Sequence, residues 1–146
     1  DVTLDGRAYQ ELHVDGGAFA QVFLYPISVG QLRRERIARR QPVSPVRAWV
    51  IRTSRLDPEW ADVERRTYGI AGRAISSMIA ASGFNDVVRI YNAAQRDHVD
   101  YNLTYIKPDF TVEYGKPFDQ AYMRPLYEYG RQRMLAGTAW VKQPPI

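Results

Sequence analysis

VRAWVIRT, residues 46–53, and DYNLTYIK, residues 100–107, decide how this chain is expected to fold. The first reads as a buried strand, because Trp49, Val50 and Ile51 leave little room for a solvated face. The second alternates in polarity and stops at Pro108, which also reads as a strand. Between them, Asp57-Pro58-Glu59 is a helix start: an Asp cap, a proline in the first turn and an acid beside the helix dipole. Trp60, Val63, Ile70, Ala71, Ala74, Ile75, Met78 and Ile79 then recur at three- and four-residue steps, which predicts the longest helix, ending near Gly83. A second helix is expected over residues 85–97, with Val87, Val88, Tyr91 and Ala94 on one side.

Outward from this unit, a final helix is expected from Asp119, carrying Tyr122, Met123, Leu126 and Tyr129. Pro125 should kink it or mark its first turns, and the tail VKQPPI should fray. On the other side, residues 41–45 form a linker, and the basic stretch from Gly30 to Arg40 reads as a helix whose only large apolar members are Leu32 and Ile37. Residues 18–27 are apolar but broken by Pro26. Residues 8–14 alternate as a half-buried strand that ends at the turn Asp15-Gly16-Gly17. Asp5-Gly6 favours a two-residue hairpin, with residues 2–4 as the partner strand. Strands alternating with helices predict an α/β fold with an at least partly parallel sheet. Three or four strands make a small sheet, whose edges lie open unless other strands cover them.

The length of 146 residues suits one domain, and 45% hydrophobic with 25% charged residues is a globular mix. With no cysteine, the chain has no disulfide, no thiolate metal site and no cysteine nucleophile. The most apolar stretch, Ala18 to Ile27, contains Gln21 and Pro26 and is far short of the roughly 20 apolar residues a membrane span needs. The sequence opens at Asp1 with neither an initiator Met nor a signal-peptide pattern, which reads as a processed product or a piece of something longer. A soluble or peripheral membrane protein is therefore expected. Net charge is +4, from 17 Arg and three Lys against 16 acidic residues. Five of the arginines fall together, at Arg33, Arg34, Arg36, Arg39 and Arg40.

Two places could carry function. Asp15 sits where a strand turns sharply, and Gly16 and Gly17 let another group approach closely. In open α/β sheets, reactive groups gather at such carboxyl ends, where an aspartate can accept a proton or orient a nucleophile. His13, two residues earlier on the same face, is read as a residue that orients the turn. With only His13 and His98 in the chain, a metal site is not expected. The second place is the arginine cluster. Its bland reading is a solvated helix face; its sharper one is contact with an anionic surface. Nucleic acid is the weaker partner here, since no aromatic side chain is interleaved with the arginines.

The segment from Tyr9 to Gly17, YQELHVDGG, resembles the block around the catalytic aspartate of patatin-like phospholipases. The resemblance continues through residues 49–52 (WVIR), 65–77 (RRTYGIAGRAISS) and 100–106 (DYNLTYI), and is with a bacterial branch of that family. It implies a partial three-layer α/β fold, a small central sheet flanked by helices. It also implies an acyl hydrolase with a Ser–Asp dyad, in which Asp15 is the general base and Gly16 and Gly17 shape its turn. No cofactor is implied. The partners would be an acyl lipid substrate and, at the periphery, a membrane surface. The family's nucleophile lies in Gly-x-Ser-x-Gly, and none of Ser28, Ser44, Ser54, Ser76, Ser77 or Ser82 has that setting. Residues 1–146 therefore read as the C-terminal, aspartate-bearing half of such an enzyme, inactive without the serine-bearing half. The alternative is a non-catalytic α/β module that binds an anionic partner through Arg33–Arg40.

Overall fold

The computed structural model of the chain describes residues 2–10, 24–57, 66–116 and 118–146. Its elements run β1 (Val2–Leu4), β2 (Arg7–Tyr9), α1 (Ile27–Ala38), β3 (Arg47–Arg55), α2 (Thr67–Arg96), β4 (Asp100–Ile106) and α3 (Gln120–Leu135). The fold is mixed α/β, and β3 and β4 pair in parallel from Arg47↔Asp100 to Ile51↔Thr104. A register shift then brings Arg55 opposite Ile106. β1 and β2 form the expected hairpin: Asp5 and Gly6 take φ of 51° and 76°, the pair of positive angles that a type I′ two-residue turn uses.

The core lies where the second half of α2 covers this parallel pair. Val87, Ile90 and Ala94 of the helix pack with Ala48 and Val50 of β3 and with Val99, Tyr101 and Leu103 around β4. Apolar residues at three- and four-residue steps put one helix stripe against alternate residues of each strand.

Four expectations are corrected. First, α2 does not stop near Gly83; it is one helix of 30 residues. Gly83 is buried inside it because the Arg52 guanidinium from β3 occupies the space that a Cβ would take. This glycine serves a close approach, not a helix end. Second, the apolar row of the first half of α2 is not core: Ile70, Ile75, Met78 and Ile79 are all more than half exposed. A helix of 30 residues is about 45 Å long, whereas a strand of seven residues is about 23 Å, so half of α2 overhangs the sheet.

Third, β3 is not buried on both faces. Ala48, Val50 and Arg52 point inward, while Trp49 and Ile51 are exposed, which is plain period-2 alternation. Among the described residues β3 pairs only with β4, and no helix covers its outer face. Fourth, the tail is tied down. Val141 exchanges two backbone hydrogen bonds with Leu103, each 2.9 Å, on the other edge of β4. Lys142 Nζ donates to Asp100 Oδ1 at 2.6 Å and to Asn102 Oδ1 at 2.8 Å, and Trp140 meets Trp49 edge to face. The helix start at Asp57-Pro58-Glu59 falls largely on residues 58–65, outside the described residues, as do residues 11–14 of the strand expected over residues 8–14.

α3 begins at Asp119, whose carboxylate accepts from the Ala121 amide and so satisfies one free donor of the first turn. The helix runs through Pro125. It docks through aromatic rings, Phe110 against Tyr122 and Tyr129, and through Asp109. That carboxylate accepts from the Tyr129 hydroxyl at 2.5 Å and from Arg133 at 2.9 Å.

Candidate functional site

Parallel strands bring their carboxyl ends to one edge, and here that edge opens into a cleft of about 1260 Å³. The end of β3 supplies Arg52 to Arg55 and the following turn supplies Asp57; the middle of α2 supplies Arg73, Ser76, Ser77 and Phe84; β4 supplies Tyr105. The lining is mostly apolar, with Arg52 and Arg55 from β3 and Arg73 from α2 among its residues. Arg55 is held in place: it donates to the Phe110 carbonyl at 2.7 Å and, through two nitrogens at 3.3 Å, to Asp57 Oδ2. Arg52 is buried, which lowers its pKa, and the neighbouring charge of Asp86 opposes that loss. Burial, reinforced by the Asp57 charge, raises the Tyr105 phenol. A mostly apolar cleft that also contains arginines can hold an amphiphile with an anionic or ester head. No nucleophile and base meet in it among the described residues, since Ser54, Ser76 and Ser77 have no His or carboxylate partner there.

Asp15, Gly16, Gly17 and His13, the residues the sequence singles out for catalysis, lie outside the described residues. The arginine cluster is described throughout, and the fold divides it in two. Gly30, Arg33, Arg34 and Ile37 form the inner side of α1. Arg33 donates to the carbonyls of Asp97, at 2.7 Å, Ser44, at 2.7 Å, and His98, at 3.1 Å. Arg34 pairs with the Asp97 carboxylate. Arg36, Arg39 and Arg40 are exposed and make no ion pair among the described residues.

Asp97 is the residue around which this end of the molecule is built, and it is fully buried. Its carboxylate accepts from Tyr25, Arg34 and Arg96. Burial pushes the acid up, and the three donors, Arg96, Tyr25 and Arg34, outweigh it and hold the pKa at about 2. Tyr25 moves the other way, pushed to about 12 by burial and by its bond to the carboxylate. Gly30 allows the approach, because a Cβ there would run into Asp97 Oδ2. The sequence carries a signal for this knot: an aspartate at the C-cap of a helix opposes the dipole and calls for cations to neutralise it.

Among the described residues no helix is long and apolar enough to cross a membrane, and no cluster of acids and histidines could hold a metal ion. No family model, curated protein or solved structure matches the chain.

Proposed function

We propose that this chain is the aspartate-bearing half of a patatin-like lipid acyl hydrolase. Asp15 would take the hydroxyl proton of a serine supplied by the other half, as that oxygen attacks an acyl ester carbonyl. The ester C–O bond would break as Asp15 returns that proton to the departing alcohol, and a water deprotonated by Asp15 would then attack the acyl-serine, releasing the acid and the free serine. Gly16 and Gly17 would shape the turn that holds Asp15, and His13 would orient it.

The observation that carries the reading is the β3–α2–β4 unit itself. Its parallel strands end in an apolar-lined cleft of about 1260 Å³, while the outer face of β3, with Trp49 and Ile51, and the first half of α2 stand bare. A sheet with such a face is the kind of surface a further layer would cover. The resemblance at residues 9–17, 49–52, 65–77 and 100–106 supplies the chemistry.

The test is ester hydrolysis by the longest translated product that contains this chain, with a short-chain nitrophenyl ester as the substrate. Asp15→Asn should abolish turnover while leaving the circular dichroism spectrum intact. Undiminished turnover by that variant would remove Asp15 from the mechanism.

A further inference from the structure

We propose that the outer face of α1 is a docking surface for an anionic lipid bilayer. The inference stands without the acyl-hydrolase reading. The fold divides the arginine cluster in two. Arg33 and Arg34 spend their donors on Asp97 and on three backbone carbonyls, so they hold α1 in a fixed orientation. That orientation turns a second row outward: Val29, Leu32, Arg36 and Arg39 follow one another at steps of three and four residues. Arg40, with φ of 53°, continues the row just past the helix end. Val29 is 52% and Leu32 54% exposed. The single acidic side chain of α1, Glu35, is also exposed and lies three residues from Leu32 and four from Arg39, so one carboxylate borders the row and offsets part of its charge.

Guanidinium groups beside bare aliphatic side chains suit a headgroup layer. The cations meet phosphate and carboxylate, and the two aliphatic side chains leave water for the acyl boundary. The same row suits nucleic acid less well. A phosphate backbone would engage the three arginines but give Val29 and Leu32 nothing to bury against, and no aromatic residue is interleaved with them in the sequence for a base to stack on. Each arginine near an anionic surface adds about fivefold to partitioning at moderate salt.

The experiment is flotation of the 146-residue protein with phosphatidylcholine vesicles, with and without phosphatidylserine, beside binding to a short DNA duplex at the same salt. The protein should float with the anionic vesicles only. Arg36→Gln/Arg39→Gln/Arg40→Gln should weaken partitioning by about a hundredfold. A charge-matched control, Arg7→Gln/Arg47→Gln/Arg124→Gln, should weaken it by well under tenfold. Val29→Ser/Leu32→Ser should lower partitioning with the charge unchanged. These exposed positions leave the fold intact, which far-ultraviolet circular dichroism verifies. Equal losses in the two arginine triples, no effect of the aliphatic pair, no flotation of the parent protein, or tighter binding to the duplex than to the anionic vesicles would each overturn the proposal.

Discussion

The Tyr25 hydroxyl donates to Asp97 Oδ2 over 2.7 Å, joining the segment that leads into α1 to the turn that ends α2, 72 residues later. Asp97 is the C-cap of α2, where the helix presents its negative end and a carboxylate is unwelcome. Arg34 and Arg96 supply the compensating charge, and together with Tyr25 they keep a fully buried acid ionised. α1 is thereby attached to the molecule mainly through polar contacts.

Removing the carboxylate should therefore cost more than removing any single donor. Asp97→Asn leaves Arg34 facing a neutral amide, and should lower stability by about 3 kcal/mol at neutral pH. Tyr25→Phe deletes one hydrogen bond to a charged group and should cost about 1.5 kcal/mol. Urea unfolding at neutral pH measures both, and a Tyr25→Phe loss equal to or larger than the Asp97→Asn loss would show that the ion pairs are not what holds α1.

The pH dependence follows from the sign of the Asp97 shift. Its folded pKa of about 2 lies below the ordinary 3.8, so the folded state favours the ionised form. That stabilisation is fully present above about pH 4 and disappears as pH falls through about 2, a loss on the order of 2 kcal/mol. Asp97→Asn should flatten the acid limb in that window. Glu128, also held at about 2 by Arg131, is exposed, so its share should vanish in high salt while that of Asp97 persists.

Three glycines should respond differently to alanine. At Gly30 and Gly83 the new methyl group would collide with Asp97 and with the Arg52 guanidinium, and each substitution should cost about 1–3 kcal/mol. At Gly130, inside α3 and with open space around it, alanine should add up to about 1 kcal/mol by restricting the unfolded chain. Thermal melts of the three variants should show two falls and one rise.

His98 follows the C-cap of α2 with φ of 52°, a left-handed conformation that glycine adopts without a Cβ penalty. Its side chain is exposed, and Arg33 reaches only its backbone carbonyl. His98→Gly should therefore raise stability by about 0.5–1 kcal/mol, readable as a higher urea midpoint.

Neighbouring residues of β3 should separate by face. Val50, buried between α2 and the sheet, should cost about 2 kcal/mol when cut to alanine. Ile51, 68% exposed, should cost less than about 0.5 kcal/mol when changed to threonine. Similar losses at the two positions would mean that the outer face of the sheet is covered in solution.

By itself, the sequence determined the local features. Asp5-Gly6 dictates its hairpin because Asp and Gly readily take the two positive φ angles of one of the favoured two-residue turns. Asp119 caps its helix with its own carboxylate, and the strand–helix–strand order follows from a polarity period along the chain. The tertiary structure alone decided which side of each period meets water. Trp49 and Ile51 read as core until a parallel pair with a helix on one side leaves their face uncovered. Gly83 reads as a helix end until Arg52 is placed against it. Five arginines read as one cluster until Asp97, 63 residues from Arg34, claims Arg34 with its buried carboxylate and Arg33 with its backbone carbonyl. A side chain's period is fixed by its neighbours in sequence, but its charge is compensated by whatever the fold brings within a few ångströms, and that partner leaves no local trace.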